Sequence, residues 1–159
     1  MTKQHHYTLT VKWTGNKGTG TNHYAKYDRS HTLSVAGKED ILCSSDPAFR
    51  GDKTKHNPED LFLASVSECH MLWYLHLCAD AGVVVVDYTD NPTGIMVEAS
   101  DEGRGRFVEI TLNPLTIVTD ESMIAKANEL HEKAREMCFV SNSCNFPIHH
   151  NPTSVTKAV

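Results

Sequence analysis

The segment between Leu61 and Ala79 constrains the fold most, because its apolar side chains point to nearly every side of a predicted helix. Residues 57–60 (Asn-Pro-Glu-Asp) supply an N-cap, a proline at the first helical position and two carboxylates beside the positive end of the helix dipole. We expect a central helix over residues 57–82 that ends near Gly82. A helix that is apolar all round must be covered on most sides, so we expect a second subunit to help cover it.

The rest of the chain alternates between strand patterns and one further helix. Apolar and polar side chains alternate with period two in Tyr7–Trp13 and Arg106–Leu112, as in half-buried strands. We predict a β-rich N-terminal layer (1–45), a β-meander (83–118), a second, amphipathic helix (120–138) and a C-terminal edge segment (145–155). The predicted fold is a single α+β domain over residues 1–159, with antiparallel sheets and two long helices, one of them central and buried.

Charge and apolar content exclude several classes of protein. The chain has 159 residues, with 15 Lys+Arg against 20 Asp+Glu and a formal net charge of −5, which argues against binding nucleic acid. Its apolar runs are shorter than the ~20 residues that span a membrane, and residues 1–6 lack the apolar part of a secretory signal. We therefore expect a cytoplasmic protein without a membrane partner.

Cysteine and histidine are the candidate reactive side chains. The five cysteines are an odd number without a C-x-x-C pair, which disfavours structural disulfides and a zinc ribbon. Cys69 lies in the middle of the buried helix and Cys138 at the end of the second; a buried cysteine is most often an inert small apolar residue. His149 and His150 point apart in an extended strand, and no H-x-x-x-H helical pair exists, so we predict no metal site.

Three features together resemble the OsmC/Ohr family, the osmotically inducible and organic hydroperoxide resistance proteins. The sequence Asn57-Pro58-Glu59-Asp60-Leu61-Phe62 opens an apolar helix, and Cys69 follows ten residues after Glu59. Cys138-Phe139-Val140-Ser141 comes about seventy residues later. The resemblance covers nearly the whole chain. It implies a cysteine-based peroxidase that works as an intertwined homodimer on organic hydroperoxides.

The resemblance also implies roles for individual residues. Cys69 is similar to the peroxidatic cysteine and Cys138 to the resolving cysteine, while Glu59 matches the carboxylate that orients an arginine. Arg50, nine residues before Glu59, is the best match for that arginine, and Arg29 is a possible substitute. No cofactor is implied; the resemblance implies an external dithiol reductant of the lipoyl type.

Helix geometry indicates that such a site needs two chains. Ten residues at 1.5 Å per residue separate Glu59 from Cys69 by about 15 Å along one helix, too far to clamp one arginine. If two such helices cross antiparallel near Ala64 and Ser65, Glu59 of one subunit comes level with Cys69 of the other. We therefore predict two sites at the dimer interface.

The apolar residues near Cys69 and the resemblance together predict the substrate class. Phe62, Met71, Leu72 and Trp73 are most often plain core in such a helix. If some of them line a funnel to Cys69, with Phe62, Met71 and Trp73 as the binding residues, they favour an alkyl or aryl hydroperoxide over hydrogen peroxide.

Two other interpretations remain open from the sequence. The first is a non-catalytic homodimer that binds a small molecule or senses redox state through reversible oxidation of Cys69. The second is a purely structural fold with inert cysteines. Repeated turnover with a dithiol separates the peroxidase from the sensor, which stops after one oxidation.

Overall fold

The apolar segment forms a 23-residue helix, Pro58–Asp80, in the computed structural model of the protein, which describes residues 3–100 and 103–157. The Asn57 side chain accepts a hydrogen bond from the Asp60 amide at 2.7 Å, and the Asp60 carboxylate accepts one from the Asn57 amide at 3.2 Å. This reciprocal cap fixes the helix start. At the other end Gly82 has φ 72°, and the amides of Gly82 and Val83 bond back to the carbonyls of Ala79 and Cys78, which closes the last turn.

Two helices and nine strands make up the described part of the chain. In chain order they are β1 (Thr10–Trp13), β2 (His31–Ser34), β3 (Ile41–Cys43), α1 (Pro58–Asp80), β4 (Val85–Asp90), β5 (Thr93–Val97), β6 (Arg106–Leu112), β7 (Pro114–Val118), α2 (Ile124–Met137), β8 (Ile148–His150) and β9 (Thr153–Thr156). The mixed content of helices and antiparallel sheets confirms the predicted α+β class.

The chain divides into two compact units, Met1–Leu61 and Phe62–Val159. In the first unit β1, β2 and β3 form an antiparallel sheet in that order, with Trp13 opposite His31 and His31 opposite Cys43. The strands are short, and the Val11 and Leu42 side chains are largely exposed. The loop after β3 contains a short 3₁₀ turn, Pro47–Phe49, capped by Asp46.

The second unit contains two three-stranded sheets. Their strand orders are β4-β7-β9 and β5-β6-β8, with antiparallel pairing of β4 to β7 and of β5 to β6. The C-terminal segment, expected to be an edge strand, supplies an edge strand to each sheet. Both of these strands pair in parallel, β8 with β6 and β9 with β7.

Buried side chains of α1 form one stripe in this chain. The stripe comprises Val66, His70, Tyr74, Leu77 and Cys78. Its later residues pack with the apolar face of α2, including Ala127, Leu130 and Ala134, while Val66 packs with Ile110 and Leu112 of β6. The remaining apolar side chains of α1 are partly or largely exposed, Leu72 by 63%.

Candidate functional site

The two cysteines singled out in the sequence come together in the second unit. Cys69 lies in the middle of α1 and Cys138 directly after the last residue of α2, and the two thiols are close enough to interact. Both are free thiols; Cys138 is fully buried and Cys69 is partly exposed. The pair therefore has one sulfur that solvent reaches and one that it does not.

The turn after α2 surrounds both sulfurs with donors. At Cys138 the backbone leaves the helix with φ −69° and ψ 107°. The Ser141 hydroxyl donates a hydrogen bond to the Cys138 sulfur at 3.0 Å, and the Ser141 amide approaches the same atom at 3.4 Å. The backbone amides of Phe139 and Val140 face the Cys69 sulfur. One short turn thus contacts both candidate reactive atoms.

These surroundings leave the Cys69 thiol poorly ionised. Burial raises the pKa of Cys69, and the neighbouring Cys138 raises it further. The amides of Val140 and Phe139 act in the opposite direction, because an N–H donor stabilises a thiolate. The pKa of Cys69 nevertheless lies above its ordinary value, so a nucleophilic thiolate at neutral pH needs an added positive charge.

An open apolar cavity of about 390 Å³ leads to Cys69. It is lined by Cys69, Leu72, Trp73, His76 and Phe139. The Trp73 and Phe139 rings meet edge to face with centroids 5.5 Å apart. Such a surface suits an apolar ligand that carries one reactive group to the thiol.

The predicted substrate-binding residues differ in their placement. Trp73 lines the cavity. Phe62 packs against Phe107 and Phe146, with ring centroids 5.0 and 6.2 Å away, and Met71 is partly buried outside the lining.

Sequence reasoning missed His76 and Phe139 as cavity residues. A signal for His76 was present, because positions 69, 72, 73 and 76 follow the three- and four-residue spacing of one helix face. The Phe139 ring comes from the turn after α2, and no local pattern in the sequence assigns it to that face.

Arg50 and Glu59 lie in the first unit. Arg50 is exposed and follows the turn Pro47–Phe49 with a left-handed φ of 66°. Glu59 is partly buried in the first turn of α1. Within residues 3–100 and 103–157 the ion pairs include none between Glu59 and an arginine.

Arg29, the alternative arginine, is held more firmly in the same unit. Its guanidinium lies 4.1 Å from the Tyr24 ring centroid and 4.3 Å from that of Tyr27, and its Nη1 donates to the Tyr27 carbonyl at 2.7 Å. Its Nη2 is buried without a hydrogen-bond partner. With His31 and Ser45 among other residues, Arg29 lines a cavity of about 350 Å³. A desolvated, unpaired N–H group of this kind is suited to bind an anionic partner.

Neither a metal centre nor a membrane span is found in the described part of the chain. No three His, Cys, Asp or Glu side chains there are arranged to hold a metal ion. No described helix combines the length and apolar character needed to cross a membrane.

Comparisons with known proteins agree on one family. Residues 51–152 match the model of a family described as OsmC-like protein. An OsmC-like protein of unknown function from Vibrio cholerae has a similar structure, with a TM-score of 0.84 at 27% identity over 94% of this chain and 100% of that chain. A search of curated proteins found no match.

Two structures named as organic hydroperoxide resistance proteins share the fold. The protein from Elizabethkingia anophelis has a TM-score of 0.66 at 20% identity and covers 98% of this chain and 100% of its own. OhrB of Bacillus subtilis has a TM-score of 0.61 at 21% identity and covers 94% and 98%.

Proposed function

Since this chain belongs to the family of OsmC-like proteins, we propose that it is a thiol peroxidase that reduces organic hydroperoxides to alcohols as a homodimer. The observation that carries the proposal is the free Cys69–Cys138 pair, with Cys69 in the lining of an apolar cavity. The names of two structural neighbours, both organic hydroperoxide resistance proteins, point to the same substrate class.

In the first step the Cys69 thiolate attacks one peroxide oxygen. A new S–O bond forms, the O–O bond breaks, and the alkoxide leaves as an alcohol after taking a proton. Cys69 is oxidised to a sulfenic acid and the hydroperoxide is reduced. The amides of Phe139 and Val140 face the sulfur on which negative charge resides before the attack.

The positive charge that this step needs is assigned to an arginine. Arg50 is the candidate by family resemblance, and Glu59 would orient its guanidinium through a bidentate pair. Arg29 has the stronger physical case, because its guanidinium is already ordered by two tyrosine rings and has a buried free Nη2. We propose that the arginine and Glu59 reach Cys69 across the dimer interface.

In the second step Cys138 resolves the sulfenic acid. The Cys138 sulfur attacks the Cys69 sulfur, a disulfide forms and water leaves, so no further oxidant is consumed. The Ser141 hydroxyl, 3.0 Å from the Cys138 sulfur, stabilises negative charge there as the attack begins.

An external dithiol, proposed to be of the lipoyl type, then reduces the disulfide and is itself oxidised. A cytoplasmic location, where thiols stay reduced, is part of the proposal.

The cavity favours an alkyl or aryl hydroperoxide over hydrogen peroxide. Burial of apolar area adds about 25 cal/mol per Å², which hydrogen peroxide cannot exploit. Trp73 is the proposed principal contact. Phe62 and Met71 are outside the lining of this cavity, so any contact of theirs with substrate is proposed to be made across the dimer interface.

Mass spectrometry after one equivalent of an alkyl hydroperoxide tests the proposal. We expect a rapid Cys69–Cys138 disulfide in the wild-type protein, a sulfenic acid that dimedone traps in Cys138→Ser, and no oxidation in Cys69→Ser. Turnover with excess dithiol distinguishes a peroxidase from a sensor, which stops after one oxidation. A Cys69 thiol that stays reduced in a large peroxide excess would overturn the proposal.

A further inference from the structure

Two buried histidines join the helices that carry the thiols. His70 follows Cys69 on α1, and His131 precedes Cys138 by seven residues on α2. His70 Nε2 and His131 Nδ1 lie 3.0 Å apart in a hydrogen bond, and the two residues are 0% and 1% exposed. The rings are nearly parallel, with an interplanar angle of 10°. This bond is a direct side-chain link between the two helices.

Aromatic packing fixes the link on both sides. Tyr74, one turn after His70 on α1, stacks on the His131 ring with centroids 3.7 Å apart and an interplanar angle of 11°. His150 of β8 packs against the His70 ring with centroids 4.7 Å apart. His70 and Tyr74 of α1 thus both contact His131 of α2, and these contacts oppose sliding of the two helices.

We propose that the His70–His131 hydrogen bond positions Cys69 and Cys138 for disulfide closure. Seven residues correspond to about two helical turns, so Cys138, which directly follows the last residue of α2, lies about 10 Å from His131 along the helix axis. A disulfide needs an S–S distance near 2 Å and a narrow dihedral range, so a small slide of α2 takes the thiols out of reach. This role rests on the proposed function in one respect: the disulfide closes after Cys69 has reduced the peroxide.

The charges around the pair favour a neutral hydrogen bond. One imidazole donates its N–H and the other accepts, so the pair needs no net charge. His150 faces His70, and Glu132, Arg135 and Asp90 act on His150. Burial lowers the pKa of His70 to about 3 and that of His131 to about 4, so both rings remain neutral at physiological pH.

The test compares variants that keep or remove the hydrogen bond. His131→Phe keeps an aromatic ring against Tyr74 but has no nitrogen, whereas His131→Asn places an amide nitrogen near the position of Nδ1. His149→Gln is the matched control, because His149 is an exposed histidine of β8 outside the cluster. Dimedone trapping and disulfide formation are followed in time after one equivalent of alkyl hydroperoxide.

We expect His131→Phe to form the Cys69 sulfenic acid at the wild-type rate but to close the disulfide at least tenfold more slowly. His131→Asn should recover most of the closure rate, and His149→Gln should match wild type. If His131 had only a structural role, sulfenic acid formation and disulfide closure would both slow equally, and His131→Asn would not restore the rate of closure. If His131→Phe does not fold, His70→Phe removes the same bond from the other helix.

Diamide separates this proposal from the peroxidase proposal. Diamide takes two electrons and two protons from a thiol pair and becomes a hydrazine, so closure of the Cys69–Cys138 disulfide needs no sulfenic acid. Slower closure by diamide in His131→Phe, with recovery in His131→Asn, supports the positioning role even if the wild-type protein does not consume peroxide. Wild-type closure rates in folded His131→Phe, with both oxidants, would overturn it.

Discussion

The described neighbourhood of Cys69 does not supply the positive charge that the proposed peroxidase reaction needs. Among the residues that the structure describes, Cys138, Phe139 and Val140 act on the Cys69 thiol, and none of them is a cation. The two amides lower the pKa of Cys69, but burial and the second thiol raise it by more. An arginine guanidinium is always charged, so it can supply the positive charge that lowers the pKa of Cys69.

Arg29→Met tests which arginine supplies that charge. We expect kcat/KM for an alkyl hydroperoxide to fall by about 100- to 1000-fold, the usual effect of removing a donor that stabilises developing charge. Arg50→Met, which removes an exposed guanidinium, should have a smaller effect. Steady-state peroxide consumption measures both variants, and the opposite ranking would assign the role to Arg50.

The lowered pKa values of the buried histidines predict that folding stability falls in acid. The pKa of each changes from about 6.5 in the unfolded chain to about 3 for His70 and about 4 for His131. As the pH falls from about 6.5 toward 4, the histidines of the unfolded chain bind protons while the buried rings of the folded chain stay neutral. The free energy of unfolding therefore decreases over this range. Removing one of these histidines should make the free energy of unfolding fall less steeply as the pH decreases.

Urea unfolding of His131→Phe under reducing conditions measures this effect. Between about pH 6 and pH 4.5 the free energy of unfolding should fall less steeply than in wild type, by about 1.4 kcal/mol per pH unit. His149→Gln controls for removal of any histidine. A slope in His131→Phe equal to that of wild type would contradict the lowered pKa of His131.

The sequence predicted the elements whose signals are local. The start of α1 followed from Asn57 and Asp60, which cap each other, and its end from Gly82 in a left-handed conformation. The strand Arg106–Leu112 followed from strict alternation. Each of these signals involves a few neighbouring residues and a known backbone geometry, so no tertiary context was needed.

Pairings between distant segments were harder to predict. β8 and β9 are short, lie next to Pro147 and Pro152, and owe their parallel alignment to β6 and β7 rather than to their own pattern. Likewise, the sequence predicted that the central helix is covered on most sides with the help of a second subunit, but its pattern did not show which stripe of α1 this chain buries by itself. In the candidate site, family resemblance supplied the two cysteines, but the His70–His131 contact depends on how α1 and α2 pack.

The cavity formed by α1 and the turn after α2 should control substrate preference. Phe139→Ser removes an aromatic ring that is 70% exposed and packs on Trp73. A loss of about 60 Å² of apolar contact corresponds to about 1.5 kcal/mol, or about tenfold in kcat/KM. We expect this loss for cumene hydroperoxide and little change for hydrogen peroxide. Val84→Ser, at an exposed position outside the cavity, serves as the control, and equal losses for both peroxides would contradict an apolar binding role.

At the scale of the whole molecule, the chain leaves much apolar surface uncovered. Among the residues that the structure describes, six aliphatic side chains are more than half exposed: Leu9, Val11, Leu42, Leu72, Val86 and Ile95. They come from both compact units. In the proposed homodimer, we expect a second copy to cover part of this apolar surface.

Ala64→Arg tests both the dimer and the shared site. If two copies of α1 cross near Ala64 and Ser65, an arginine there keeps the helices apart and sedimentation should change from a dimer to a monomer of 17.7 kDa. Peroxide consumption should then fall by about 100-fold or more, because the partner's arginine is lost. Diamide should still close the Cys69–Cys138 disulfide, since both thiols belong to one compact unit.

Ala79→Arg, at an exposed position on the same helix, is the control and should remain dimeric and active. A monomeric Ala64→Arg variant with full peroxidase activity would mean that each subunit carries a complete site.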